Sequence, residues 1–125
     1  MSGLTLDAGA LIAFERNDRA VVAIISRSLK LGTRLAVPAG VVGQVWRDGR
    51  RQARLSRLLG SDLTEIKVLD DKGARAAGQL CGATKTNDVI DATVVLCART
   101  HGHGVLTSDV DDLRRLDSSL RYVAV

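Results

Sequence analysis

GLTLDAGALIAF, residues 3–14, decides the fold. Leu4, Thr5 and Leu6 form a short apolar run, Asp7 stops it, and Ala8 to Phe14 resumes as a helix of small and apolar residues. A buried strand that ends in a carboxylate and turns at once into a helix sets the charge at the carboxyl edge of a sheet, where open α/β folds bind their ligands. Asp7 is the only charged side chain between Met1 and Glu15. A carboxylate in such company needs a cationic partner, because burying a lone charge is costly.

Working outward, strand and helix patterns alternate. Asp18 caps a predicted helix from Arg19 to Leu31 that Gly32 ends. Leu35 to Val37 is a strand closed by Pro38, and Ala39 to Trp46, AGVVGQVW, is a helix. Arg50 to Leu59 is predicted as a further helix with Leu55, Leu58 and Leu59 on its apolar side. The turn Gly60-Ser61-Asp62 leads to a strand over Ile66 to Leu69, and Asp70 caps a helix to about Ala83. After the loop at 82–87, Asn87 or Asp88 opens an apolar helix through Arg99. His101 to Gly104 reads as a turn whose histidines face solvent, Val105 to Thr107 as a strand, Val110 to Leu116 as a helix and Arg121 to Val125 as the last strand. This alternation predicts an α/β fold, a parallel sheet flanked by helices.

The 125 residues suit one domain, 1–125, with no internal repeat or linker. No apolar run approaches the roughly 20 residues of a membrane helix, and the N-terminus lacks a signal peptide's basic start and apolar stretch, so a cytoplasmic protein without membrane partners is expected. Cys81 and Cys97 lie in helical, apolar surroundings with no zinc-type spacing, which predicts buried free thiols. The net charge of +4 permits a polyanionic partner, and its distribution is uneven. Arg47, Arg50, Arg51, Arg54 and Arg57 crowd one stretch against the single acid Asp48, whereas Asp109, Asp111, Asp112 and Asp117 crowd another. The arginines are candidate phosphate contacts for RNA; their ordinary role is a solvated helix face. Aromatic content of 2% leaves base stacking little to work with, and Trp46, in an apolar stretch, reads as core or interface.

The carboxylates converge. Asp7 and Asp109 each end a predicted strand of one parallel sheet and so share its edge, and Asp88 and Asp91 project from one face of a helix's first turn. Two carboxylates about 4 Å apart repel by about 4 kcal/mol at an effective dielectric near 20. A hard divalent cation removes that repulsion, and an all-oxygen ligand set suits Mg²⁺ or Mn²⁺. Each acid also has an ordinary explanation: Asp88 favours a helix dipole, Asp91 bonds a neighbouring loop, Asp109 caps the next helix, and Asp111 and Asp112 are solvated first-turn acids. Thr5, Thr107 and Ser108 sit where they would orient ligands, although Thr5 is equally a β-branched strand residue.

LTLDAGALIAF, VPAGVVGQVWR, NDVIDATVV and VLTSDVDDL, in this order, resemble the PIN-domain family, and within it the VapC-type toxins of bacterial toxin–antitoxin pairs. The resemblance spans essentially the whole chain. It implies a three-layer α/β/α domain, a Mg²⁺-dependent endoribonuclease activity, a homodimer and a cognate antitoxin that holds the enzyme inactive. By motif, Asp7, Asp88 and Asp109 match metal-binding acids of the family, and Asp91 an additional acid of a subset reading DVxDA. One position departs: Gln44 stands in VVGQVWR where the family usually carries Glu. Gln offers a neutral carbonyl oxygen and no charge. This keeps a catalytically weak, RNA-binding or regulatory PIN-like module as the alternative function. A phosphoacceptor receiver domain, which also clusters acids around a strand-end Asp, would need a lysine ending its last strand, and RYVAV has none.

Overall fold

The computed structural model describes residues 3–125. Twelve elements follow one another: β1 (Gly3–Leu6), α1 (Ala8–Glu15), α2 (Arg19–Lys30), β2 (Arg34–Pro38), α3 (Ala39–Val45), α4 (Ala53–Leu59), β3 (Thr64–Lys67), α5 (Asp71–Thr84), α6 (Val89–His101), β4 (Gly104–Thr107), α7 (Val110–Leu116) and β5 (Tyr122–Ala124). The five strands form one sheet in the order β3-β2-β1-β4-β5, every pairing parallel. The expected α/β/α architecture is therefore the one present.

The strand order places the site. From β1 the chain steps outward to β2 and β3, then returns across the sheet to β4 and continues the other way to β5. Because strand–helix–strand crossovers are right-handed, the reversal moves the helices from one face to the other. Accordingly α1 packs with α2, α3 and α4, while α6 packs with α5 and α7 and lies across β1, β2 and β4. The direction reverses between β1 and β4, and that crevice at the carboxyl ends is where doubly wound sheets bind ligands. Asp7 follows β1 and Asp109 lies two residues beyond β4.

Central strands β1 and β4 are buried along their whole length, as a sheet covered on both faces requires. Leu4, Leu6, Leu11, Ile25, Leu35, Val37, Val94, Val95, Val105 and Leu106 belong to one continuous core. Cys81 and Cys97 are buried and free, as expected. Side chains of Asp18 and Asp70 cap α2 and α5.

Three boundaries differ from the sequence reading. The predicted strand over Ile66 to Leu69 is displaced to Thr64–Lys67, leaving Val68 84% exposed. Its ladder partner β2 ends at Pro38, opposite Lys67, so the apolar residues beyond have no strand to pair with. The predicted helix from Arg50 starts only at Ala53. Buried Gln52 holds the preceding turn: its Oε1 accepts from the Arg47 and Asp48 N–H groups, and its Nε2 donates to Val45 O (2.9 Å) and Glu15 Oε1 (3.3 Å). Finally, His101 is the last residue of α6 rather than part of a turn, with left-handed Gly102 as the cap.

Candidate metal centre

Asp7 is 5% exposed and tied down at both oxygens. Oδ1 caps α1 by accepting the Ala10 N–H (2.9 Å), and Oδ2 accepts from the Thr107 hydroxyl. Thr107 Oγ1 in turn accepts the Asp109 N–H (2.8 Å). One threonine at the end of β4 thus fixes both the carboxylate ending β1 and the backbone that presents Asp109. Gly9 lets this corner close, since a Cβ there would overlap Ser108 Oγ and lie 2.8 Å from Ser108 Cβ. Burial, partly offset by the Thr107, Ala10 and Gly9 hydrogen bonds, raises the pKa of Asp7.

Asp88 is the N-cap of α6, its Oδ1 accepting the Asp91 N–H (3.0 Å). The capping role is real, and it orients Asp88 beside Asp91. Asp109 occupies the N-cap position of α7, yet its side chain makes no capping hydrogen bond; the ordinary explanation for this acid fails. Asp109 and Asp112 lie three residues apart and share a face of α7's first turn. Carboxylate oxygens of Asp91, Asp109 and Asp112 lie within 4.8 Å of one another.

The electrostatics report the crowding. Asp91, half-buried, has its pKa pushed up to about 7, first by burial and then by the charges of Asp88, Asp109, Asp7 and Asp112. The pKa of Asp109 is raised too, by desolvation and then by its hydrogen bond and charge interaction with Asp112. Among the described residues, no lysine or arginine pairs with Asp7, Asp88, Asp91 or Asp109; Arg115 approaches Asp112 at 3.9 Å, on the surface. Converging acids without a counter-charge, all offering hard oxygen donors, fit a divalent cation of the Mg²⁺ or Mn²⁺ kind.

Asp112, read from sequence as a solvated first-turn acid, belongs to the tightest group. Asp88 and Asp7 stand next to that group. Gln44 is exposed on α3, one turn beyond Gly40, and Gly40 faces Ile90 of α6, whose Cδ1 a Cβ would overlap. Thr5 lies away from the acids: its hydroxyl contacts Cys97 Sγ (3.7 Å) and His103 Nδ1 (3.1 Å). That places Thr5 and His103 in structural roles, and corrects the solvent-facing expectation for His103, which is half-buried.

The five arginines do not form one helical face. Only Arg54 and Arg57 lie on α4. Arg47 Nη1 donates to Gly43 O (3.1 Å) and Trp46 O (2.7 Å), closing α3, and Arg51 meets Asp48 at 3.7 Å. The segment reaches α1 at Glu15, an eight-residue helix away from Asp7, or about 12 Å. Trp46, 38% exposed, caps α3.

Three solved structures share the fold. VapBC2 from Rickettsia felis, bound to a DNA fragment from its promoter, superposes with a TM-score of 0.71 at 14% identity, covering 98% of each chain. FitAcB from Neisseria gonorrhoeae gives 0.66 at 18% identity over 95% of each chain. FitAB bound to the IR36 DNA fragment gives 0.68 at 16% identity over 97% of this chain and 94% of that one. No curated protein matches the sequence directly. Residues 4–118 match the family described as PIN domain, nearly the whole chain including all the acids above, and the protein is thus a member of the PIN domain family.

Proposed function

We propose that the chain is a divalent-metal-dependent endoribonuclease and the toxin of a toxin–antitoxin pair. The observation that carries this is the crevice at the β1/β4 switch point, where Asp91, Asp109 and Asp112 converge beside Asp7 and Asp88, with no lysine or arginine among the described residues paired with four of the five. Asp7, Asp91, Asp109 and Asp112 would hold the cation, Asp88 adding charge at its margin. A Mg²⁺ or Mn²⁺ ion held there would supply charge neutralisation for a phosphodiester and would lower the pKa of a bound water. Thr107 keeps Asp7 and the Asp109 backbone in register, so the carboxylates are presented by the ends of two neighbouring strands and the first turns of two helices.

Arg47, Arg50, Arg51, Arg54 and Arg57 are then remote phosphate contacts, with Arg47 the least available because it already caps α3. An antitoxin partner and a homodimer are part of the same proposal. The antitoxin is supported by the neighbouring VapBC2, FitAcB and FitAB structures, each named for a pair of components. In place of the missing Glu, Asp91 and Asp112 supply the charge that Gln44 does not.

The test is incubation of the purified protein with a panel of structured cellular RNAs in Mg²⁺, Mn²⁺ or EDTA, beside Asp91→Asn. Discrete cuts that need metal and fall at least 100-fold in the variant are expected. RNA binding without any cutting would favour the regulatory module instead.

A further inference from the structure

Beside the acids, a cavity of about 600 Å³ is lined by residues 84–87 at the end of α5 and in the α5–α6 loop, by Asp88 and Asp91 at the start of α6, and by Asp112, Arg115 and Leu116 of α7. Its volume is within the range of pockets that enclose a small molecule. Its chemistry is mixed: the carboxylates Asp88, Asp91 and Asp112, the cations Lys85 and Arg115, and the neutral hydrogen-bonding side chains of Thr84, Thr86 and Asn87. Lys85 forms no ion pair among the described residues. Among the described residues that line the cavity none is aromatic.

Lys85 is also an unexpected residue for its place. It caps the C-terminus of α5 at φ 58°, ψ 41°, in the left-handed region. Glycine is the default there, since a Cβ in that conformation crowds the following carbonyl oxygen. The end of α6 meets the same demand with Gly102 at φ 66°. The turn is held without the lysine side chain: Thr84 Oγ1 donates to Leu80 O (2.8 Å) and meets Thr86 Oγ1 (3.0 Å), and the Thr86 N–H donates to Cys81 O (3.0 Å). The lysine ammonium therefore contributes nothing to the local fold that glycine would not.

We propose that this cavity is the seat of a nucleotide flanking the scissile bond, its backbone phosphate held by Lys85 with Arg115, and its base left unread. The proposal rests on the ribonuclease function inferred above and adds the substrate's path: a single-stranded polyribonucleotide leaves the acids toward the α5–α6 loop. Without an aromatic platform the contact is to phosphate and sugar, and so tolerates any base at that position.

The experiment is binding of a fluorescent, unstructured 20-nucleotide RNA in Ca²⁺, followed by anisotropy across a salt series, with the RNA verified intact afterwards. Wild type, Lys85→Gly and Lys85→Arg are compared, and thermal melts are recorded for each. Losing one phosphate contact on a single strand lowers the slope of log K against log salt by about 0.7, equivalent to about fivefold weaker binding at 0.1 M salt. That loss is expected for Lys85→Gly with a melting temperature no lower than wild type, whereas Lys85→Arg retains the wild-type slope. Equal slopes for wild type and Lys85→Gly would overturn the proposal while leaving the nuclease function standing. A wild-type protein that neither binds nor cuts RNA would overturn both.

Discussion

Thr107 carries more of the site than its size suggests. Its hydroxyl donates to buried Asp7 and accepts from the Asp109 backbone, so Thr107→Val strands two polar groups at once. Leaving a buried group unsatisfied costs about 1–3 kcal/mol, and a loss of that order is expected in chemical denaturation. The Thr107 bond also lowers a pKa that burial raises. Without it, Asp7 ionises at higher pH, and the pH dependence of metal binding shifts upward in the variant. Thr107→Ser, which keeps the hydroxyl, should restore both. The sequence marked Asp7 through its isolation among apolar residues, and Asp88 with Asp91 through their three-residue spacing. The same spacing joins Asp109 to Asp112, but acids in a helix's first turn are so commonly explained by the dipole that Asp112 passed as solvated. What decides the matter is that α7 turns toward Asp91, and only tertiary structure contains that. Gln52 went unnoticed for a related reason, since a glutamine among arginines looks solvated until its four hydrogen-bonding partners are in place.

Among elements, the packing of α3 on α6 positions the first turn that bears Asp91. Gly40 permits the approach, and a methyl group there would overlap the tip of Ile90. That tip is the free end of a flexible side chain, so Gly40→Ala is expected to turn Ile90 Cδ1 aside, at a cost of about 1 kcal/mol of stability, with α6 left in place and little cleavage lost. Gly40→Ala with Ile90→Val, which removes the overlapping Cδ1 atom, should recover most of that stability. Thermal melts and cleavage assays of the single and double variants side by side check both. Element identity was legible throughout, because capping aspartates and left-handed glycines mark the helix ends. Limits failed where partners set them: β3 stops at Lys67 because β2 has ended, not because its own sequence changes character.

For the molecule as a whole, the sheet order gathers the carboxylates and leaves their repulsion to be relieved from outside. Asp7, Asp91 and Asp109 all have raised pKa values, so the folded state holds protons that the unfolded chain has released. With a folded value of about 7 against 3.8 for the free side chain, the Asp91 contribution favours folding most below pH 3.8 and is lost as pH rises toward and past 7. Bound cation favours the ionised form and displaces the proton, so stabilisation by metal should grow over the same window. The α/β/α fold and the edge shared by Asp7 and Asp109 were readable from the alternation of strands and helices; the crowding that makes Asp91 the most perturbed of these acids was not.

The most direct measurement is the melting temperature of wild type and Asp91→Asn at pH 5 and pH 8, each in EDTA and in 5 mM Mg²⁺. In EDTA the variant should melt above wild type at pH 8, and above it by less than half as much at pH 5, where only the first part of the interval from 3.8 to about 7 has been crossed. Mg²⁺ should raise the wild-type value by several degrees at pH 8, by much less at pH 5, and barely move the variant. A wild-type protein indifferent to Mg²⁺ at pH 8, melting no lower than Asp91→Asn, would show that these carboxylates are not waiting for a cation.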